Sequence, residues 1–326
     1  MSEYEGIEKP LLKKKKRYLH YFFRDIVENK IIRNRLKIYF QNTKFAGISI
    51  PNYDTTNDII TEKILIGEPF ALIRPGTGEF NWAAMWEEEK LFGRLLYKRK
   101  NSNNITLKYL LGNRYDEYQK MQRRDYHECD IFACFKDSII EEYLVETYAN
   151  NAEVICYNFL TPINAKRPWT DALKGKKVLV ISIFADWLKE QYGKRGEIFN
   201  GEWSWPEMEL IPLKSVFFFG PSERFPTYFD ALNYLYEEAM KNDFDIAILS
   251  CGFFAIDLAP MFKRAGKQAI QYGGELQMLF GIRGARWDKS SFFSKYYNDS
   301  WIRVSKAQTG VSEDDSKTLD DGVCYW

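Results

Sequence analysis

The chemically distinctive residues of this sequence follow short apolar runs. The first set is RPGTGE at residues 74–79, directly after the apolar stretch FALI. Arg74 offers a planar fork of N–H donors to a phosphate or carboxylate. Gly76 and Gly78 let the backbone approach an anion near the N–H groups of a helix start. Glu79 is then placed for a divalent ion or a sugar hydroxyl, or, alternatively, for the dipole of its own helix. The spacing predicts a site for a nucleotide diphosphate.

Two further carboxylates are candidate general bases. Asp186 lies just beyond the apolar run at residues 178–183 and is predicted either to accept a proton or to cap a helix N-terminus. Glu223, in a loop-like stretch before the next helical pattern, is the second candidate base.

A third set of residues lies between positions 252 and 287, where glycines follow two more apolar runs. A glycine at a strand end indicates a sharp bend or a close approach to a ligand. The alternative interpretation is a tight turn at residues 273–274 and a surface stack of arginine on tryptophan at residues 286–287. The residues predicted to surround the ligand are Gly252, Gly273, Gly274, Gln277, Arg283, Arg286 and Trp287.

Alternating strands and helices must position these residues. About seven apolar runs alternate with helical patterns, which predicts an α/β fold with a Rossmann-like, doubly wound, mostly parallel sheet. Residues 244–288 have the pattern of one strand–helix–strand unit. Ligands of such sheets bind at the carboxyl ends of the strands, so the three sets are expected to meet at one edge. We also predict a strand at 215–219 and a helix at 59–66 that begins at Asp58.

Composition limits the classes of function. The chain has 326 residues, 45% of them hydrophobic, and a net charge of +1, which gives no indication of nucleic-acid binding. Five scattered cysteines and two histidines argue against a disulfide framework and a zinc site. The sequence contains no run of 18 apolar residues and no signal-peptide pattern, so we expect a cytoplasmic protein.

The N-terminal 50 residues form a separate predicted region. Basic residues at 9–17 precede an amphipathic pattern of aromatic, aliphatic and basic residues at 18–40. The pattern predicts either a helix lying on an anionic membrane surface or a solvated basic helix that packs its aromatic side on the main domain. The main domain is then 51–326, with a polar C-terminal tail at 289–326 whose final aromatic residues are expected to dock.

Several common nucleotide-binding and catalytic motifs are absent from the sequence. No GxGxxG follows a predicted strand, no GxxxxGK[ST] is present, and no GxSxG elbow is found. These absences argue against nicotinamide or flavin enzymes, P-loop NTPases and serine hydrolases.

Several segments resemble a known family. RPGTGE at 74–79 resembles the RxGxxE, or GDGE-like, motif of GT-D-fold glycosyltransferases. The segments that resemble bacterial members from capsule, exopolysaccharide and O-antigen clusters are 166–177, 266–274, 279–287 and 324–326. The resemblance extends over about residues 60–326. It implies transfer of a sugar from a nucleotide donor, UDP-linked, to a growing and often lipid-linked glycan.

The sequence departs from the pattern of this family at the metal position. Better-characterised members carry an Asp-x-Glu pair that binds a divalent ion, whereas this chain has Thr77 and Glu79. A hydroxyl is a poorer ligand for Mn²⁺ or Mg²⁺ than a carboxylate. The resemblance therefore leaves Glu79 as the remaining metal ligand. The alternative is that Arg74, Arg283 or Arg286 neutralises the departing diphosphate in place of a metal.

The sequence as a whole predicts a glycosyltransferase (hexosyltransferase) at the inner face of the membrane or free in the cytoplasm. Glu79 is assigned to a metal or the donor sugar, Asp186 to proton abstraction, and Gln277 and Trp287 to the walls of the pocket. Two alternatives stay open. One is a non-catalytic partner that binds a nucleotide sugar or glycan within a polysaccharide assembly complex, and the other is a structural scaffold.

Overall fold

The structure is a computed structural model that describes residues 2–28, 44–96, 111–135, 139–311 and 326, with side chains from residue 11 onward. Its strands are short and apolar. In chain order they are β1 (Lys44–Phe45), β2 (Ile48–Ser49), β3 (Ala71–Ile73), β4 (Ile131–Cys134), β5 (Glu153–Cys156), β6 (Lys177–Ser182), β7 (Glu209–Lys214), β8 (Ile246–Ser250), β9 (Gln268–Gln271), β10 (Ile282–Arg283) and β11 (Ile302–Arg303).

Helices alternate with these strands along most of the chain. They are α1 (Ser2–Asp25), α2 (Tyr53–Ile66), α3 (Thr77–Phe92), α4 (Tyr115–Glu128), α5 (Ile139–Tyr148), α6 (Ala185–Gly193), α7 (Arg195–Ile198), α8 (Tyr228–Met240), α9 (Phe254–Arg264), α10 (Leu276–Leu279), α11 (Ala285–Asp288), α12 (Ser291–Ser294) and α13 (Lys306–Thr309). None of these described helices is both long and apolar enough to cross a bilayer.

Seven strands form one sheet in the order β5-β4-β3-β9-β8-β6-β7. Every pair of these strands whose register is described is parallel. Strands β3, β4, β8 and β9 are buried along their whole length, as expected for a parallel sheet covered by helices on its faces. The predicted Rossmann-like α/β sheet is confirmed at this level.

Two predicted element positions are wrong. The edge strand lies at Glu209–Lys214 rather than at 215–219, because β6 ends at Ser182 and its carbonyl accepts the last ladder hydrogen bond, from Ser215 N at 3.0 Å. Helix α2 begins after Asn52, whose Oδ1 accepts from Thr55 N at 2.9 Å, and not at Asp58. An asparagine at the N-cap satisfies a helix N–H that would otherwise lack a partner.

The chain divides into two compact units. The first unit comprises residues 1–51 and 75–158, and the second comprises 52–74 and 159–326. The predicted division between residues 1–50 and 51–326 stays a prediction.

Within the first unit, α1 packs its aromatic side on α3 and α5. The Tyr18 hydroxyl donates to Glu88 Oε1 at 2.7 Å, and the Tyr21 hydroxyl donates to Glu146 Oε2 at 2.7 Å. Both tyrosines are buried. The interpretation of this segment as a helix that packs aromatic residues inward is therefore correct for these two side chains.

A buried carboxylate joins four helices of the first unit. Glu87 of α3 is fully buried and lies 3.3 Å from Arg123 Nη2 of α4 and 3.3 Å from Lys14 Nζ of α1. It also accepts from the hydroxyls of Tyr143 and Tyr148, both in α5. Burial, followed by the charge of Glu87, raises the pKa of both tyrosines, so their hydroxyls stay protonated donors.

Within the second unit, the C-terminal residue docks as expected. Trp326 is buried, and its carbonyl accepts from Ala285 N at 2.9 Å. The rest of the predicted docking segment lies outside the described residues.

We predict that Glu87→Gln destabilises the protein strongly. It leaves the buried Arg123 guanidinium without its carboxylate partner, which typically costs about 3–5 kcal/mol. Urea unfolding followed by circular dichroism measures the loss. The matched control is Glu146→Gln, because Glu146 forms a half-exposed pair with Arg17 and such pairs contribute about 0–1 kcal/mol. Glutamine keeps an oxygen that can accept from the Tyr21 hydroxyl.

The double variant Glu87→Gln/Arg123→Met removes both charges and is expected to recover part of the lost stability. Equal costs for Glu87→Gln and Glu146→Gln would contradict this account of the buried network.

Candidate functional site

The carboxyl ends of β3 and β9 lie side by side, because these strands are paired in parallel. Arg74 follows β3, and its backbone N–H donates to Gln271 Oε1 at 2.7 Å. Its guanidinium Nη1 donates to the carbonyl of Tyr272, the residue after β9, at 2.7 Å. The predicted meeting of Arg74 with the glycines after β9 is thus confirmed.

Gly273 is required where the Arg74 side chain meets the end of β9, for two reasons. Its φ is +84°, in the left-handed region that disfavours residues with a Cβ. A Cβ built on it would also lie 1.8 Å from Arg74 Nη1. The glycine therefore makes room for the guanidinium to reach the Tyr272 carbonyl.

Glu275 brings a carboxylate to the same strand ends, and sequence reasoning missed it. It stands at the N-cap of α10. Burial raises its pKa, while the positive charge of Arg74 opposes that rise. A carboxyl group with a raised pKa beside an arginine is typical of functional sites. The signal was present in the sequence, because Glu275 directly follows the predicted ligand glycines.

Two tyrosines complete the surroundings of Glu275. Burial, with the charge of Glu275 as a smaller cause, raises the pKa of Tyr53 to about 12. Tyr272 is buried, and burial, with Glu275 as the next cause, raises its pKa well above the usual value. The Tyr53 hydroxyl donates to the carbonyl of Thr161. Nothing in the sequence could have indicated Tyr53, because it lies more than 200 positions from Glu275.

The RPGTGE segment forms the start of α3 in the first unit. Gly76 is the N-cap, and its N–H donates to Glu79 Oε2 at 3.1 Å, which is the carboxylate half of a capping box. Thr77 is exposed, and Gly78 has only Trp82 near the position of a Cβ. The alternative role of Glu79, stabilisation of its own helix start, is therefore realised.

This local geometry fits a divalent metal poorly. One carboxylate engaged in a helix cap and one hydroxyl are a weak donor set for Mg²⁺ or Mn²⁺. Among the described residues, no three or more His, Cys, Asp or Glu side chains cluster in an arrangement that could hold a metal ion. The metal role of Glu79 stays a prediction from the sequence.

An aromatic pocket lies at the carboxyl ends of β6, β7 and β8. Its empty volume, counting the space open to solvent, is about 340 Å³. Gly252, a predicted site residue with φ of +61°, is in its wall. The residues lining it are Ile183, Ser215, Val216, Phe217, Phe218, Phe219, Cys251, Gly252, Phe253 and Phe254. The run at 215–219 that suggested a strand in the sequence forms one wall of this pocket.

Parallel ring pairs give the pocket flat walls. The rings of Phe217 and Phe219 stack at 5.3 Å and 11°, and those of Phe253 and Phe254 at 5.1 Å and 16°. Burial raises the pKa of the Cys251 thiol, which keeps it neutral and effectively apolar. The pocket therefore suits a flat, uncharged group.

The other predicted residues after β9 make local contacts. Gln277 is buried, and its Nε2 donates to the Ile282 carbonyl at 3.2 Å. Arg283 lies over the Tyr297 ring at 4.3 Å. Arg286 is exposed and lies 5.6 Å from the ring centroid of the buried Trp287, which is the surface stack that the sequence left as an alternative.

The two candidate bases are exposed to solvent. Asp186 is in the first turn of α6, where Phe184 is the N-cap, so its interpretation as a cap is wrong. Its carboxylate pairs with Lys214 Nζ, and 52% of its side chain is exposed. Glu223 is exposed in the loop before α8. Their proposed roles in proton transfer stay predictions.

Fold and site together define an α/β protein with a candidate ligand edge at the carboxyl ends of β3, β9, β8 and β6. Comparison with protein-family models, with curated proteins and with solved structures finds no match to this chain. The assignment of a function therefore depends on the residues of this edge and on the resemblance in the sequence.

We predict that Gly273→Ala costs more stability than Gly266→Ala. Both glycines have φ near +80°, and a Cβ at Gly266 meets no atom within 4 Å. Each variant is expected to lose roughly 1–2 kcal/mol from left-handed strain. Gly273→Ala also displaces Arg74 from the Tyr272 carbonyl, and a hydrogen bond from a charged group adds about 1.5–3 kcal/mol. Equal losses in chemical denaturation would show that the guanidinium is not held at this glycine.

We predict that Glu275→Gln changes the pH dependence of stability. A carboxyl whose folded pKa is raised binds more protons in the native than in the unfolded state, so it lowers stability as the pH rises above its ordinary value of 4.5. Glutamine removes this dependence.

The melting temperature of Glu275→Gln should therefore match that of the natural chain near pH 4 and exceed it at pH 8. Glu223→Gln, which removes an exposed carboxylate, controls for the loss of one negative charge. A Glu275→Gln variant less stable than the natural chain at pH 8 would contradict the prediction.

Proposed function

We propose that this protein is a glycosyltransferase that binds a nucleotide-sugar donor, UDP-linked, along the carboxyl edge of β3, β9 and β8. The observation behind the proposal is the fixed Arg74 guanidinium beside Gly273, with the aromatic pocket further along the same edge. The resemblance of residues 74–79 to the GT-D motif supports the same class of donor.

Arg74 is proposed to bind the diphosphate. Its hydrogen bond to the Tyr272 carbonyl orients the guanidinium at the strand ends. Arginine forms bidentate hydrogen bonds with phosphate oxygens and stays charged at any working pH. A cation held in place before the reaction stabilises the negative charge that develops on the leaving diphosphate.

The aromatic pocket is proposed to hold the nucleobase. Its walls follow β8, β6 and β7, and the nearest of these strands to β3 is β8, two strand spacings away, about 10 Å. A base stacked on aromatic side chains gains roughly 1–3 kcal/mol. The edge thus offers a flat apolar surface and an anchored cation at a separation that suits the two ends of a nucleotide diphosphate.

Transfer breaks the bond between the anomeric carbon and the diphosphate oxygen and forms a bond from that carbon to an acceptor hydroxyl oxygen. The diphosphate departs with the electron pair, and the hydroxyl proton passes to a carboxylate if the reaction inverts the anomeric centre. Glu275 joins Asp186 and Glu223 as a candidate acceptor of that proton, because it lies beside Arg74 and its pKa is raised.

The acceptor class comes from the resemblance alone. We propose a hydroxyl of a growing surface glycan, in lipid-linked form, as in capsule, exopolysaccharide and O-antigen assembly. No step of the reaction is assigned to a metal.

A non-catalytic nucleotide-sugar or glycan-binding partner in a polysaccharide assembly complex is the second candidate. Glu79 forms a helix cap, and Asp186 pairs with Lys214 in solvent. Two of the three carboxylates assigned to chemistry from the sequence thus have structural partners. Slow release of free nucleotide from the donor distinguishes an enzyme from a binding module.

We predict that Arg74→Ala abolishes the rise in melting temperature that a UDP-sugar gives the natural chain. A bound ligand stabilises the native state by mass action. Loss of a charge-assisted hydrogen bond, about 1.5–3 kcal/mol, weakens binding by roughly 10- to 150-fold. The screen is run with and without Mn²⁺.

The matched control is Arg195→Ala, because Arg195 lies over the Tyr192 ring in the same unit, outside the proposed donor site. Glu79→Ala is tested in parallel, with the fold checked by circular dichroism. Full donor turnover in both Arg74→Ala and Glu79→Ala would contradict the proposed function.

A further inference from the structure

Helix α1 has an inner side whose cations are neutralised by acids of α3 and α5. Lys14 pairs with Glu87, Arg17 Nε lies 3.6 Å from Glu146 Oε1, and Arg24 Nη1 lies 3.4 Å from Glu142 Oε2. Together with the buried Tyr18 and Tyr21, these contacts account for the inner side. The opposite side of the helix makes none of these contacts.

The opposite side, here called the outer face, combines exposed apolar and basic residues. Leu12, Phe23 and Val27 are 54%, 59% and 47% exposed. Three side chains of α1, Leu12, Lys16 and Phe23, fall within about 40° of one another around an axis of 3.6 residues per turn. Val27 lies four residues beyond Phe23, in the π-helical turn at 26–28 that continues α1. Half of the large apolar side chains that are exposed in the described part of the chain belong to this one segment, at positions 11, 12, 23 and 27.

The charge of the outer face has one sign. Lys13 and Lys16 are exposed, and no ion pair is described for either within the described ranges. The two acids between residues 11 and 28 are Asp25 and Glu28, which helical spacing places on the side of Tyr18 and Tyr21. Exposed apolar side chains are unfavourable in water. Next to lysines without an acidic partner, they suit a surface that has anionic headgroups over hydrocarbon.

We propose that the outer face of α1 binds an anionic lipid bilayer, with the helix lying in the plane of the interface. Phe23, Leu12 and Val27 enter the headgroup boundary, and the lysine stems lie along it with their ammonium groups at anionic headgroups. Each lysine near such a surface is expected to strengthen binding about fivefold. The inner side stays packed on α3 and α5, so binding requires no unfolding.

This inference resolves the two sequence interpretations of the N-terminal helix, because each applies to a different side. It does not depend on the proposed function, since a binding module or a scaffold with the same helix would bind the bilayer equally.

The test is co-sedimentation of the full chain with vesicles of phosphatidylcholine alone or mixed with phosphatidylserine. The natural chain should bind only the mixed vesicles, and added salt should weaken binding. Leu12→Glu/Phe23→Glu and Lys13→Gln/Lys16→Gln should each reduce binding at least tenfold. All four side chains are exposed, so the fold should persist, which circular dichroism checks.

The control Leu65→Glu/Ile66→Glu changes two apolar residues of α2 that are 66% and 58% exposed, and it should bind as the natural chain does. Equal loss in this control, unchanged binding of Leu12→Glu/Phe23→Glu, or no binding by the natural chain would overturn the proposal. Light scattering that shows a dimer abolished by Leu12→Glu/Phe23→Glu, without vesicles, would identify a second copy as the occupant instead.

Discussion

The pairing of β3 with β9 is the constraint on which the candidate site depends. It joins residues almost 200 positions apart, and it lets Arg74 reach the carbonyl of Tyr272. A parallel pair requires a crossover between its strands, so both carboxyl ends lie at one edge. Gly273 then becomes necessary, because the guanidinium occupies the volume of a Cβ. The orientation of the Arg74 guanidinium and the positive charge near Glu275 both follow from the pairing of β3 with β9.

The first unit is organised by a different interaction. Glu87 is a carboxylate without exposure to water, and it is stable there because Arg123, Lys14 and two tyrosine hydroxyls surround it. A buried ion pair of this kind contributes little net stability compared with apolar packing, but its members are costly to separate. The network therefore fixes where α1 lies on α3 and α5, and it determines which side of α1 is left to face outward.

Much of the fold could be predicted because apolar runs of four to six residues, separated by helical patterns, have few arrangements other than a parallel sheet. Strand β6 lies within one residue of the apolar run at 178–183, and β8 and β9 fall inside the predicted strand–helix–strand unit at 244–288. The edge strand was not, since Glu209–Lys214 is only partly buried while the more apolar Phe217–Phe219 belongs to a pocket wall. Hydrophobicity indicates burial, and it does not distinguish a sheet from a cavity.

The sequence by itself determined the alternation of strands and helices, the glycines at strand ends and the basic, aromatic nature of α1, because these depend on neighbouring residues and their spacing. Only the tertiary structure decided that Arg74 lies against Gly273, that Glu275 and Tyr53 share one environment, and that Glu79 caps its own helix while Asp186 pairs with Lys214. Such contacts join distant parts of the chain or select among several local partners. Their geometry is set by strand order and packing, which local spacing does not encode.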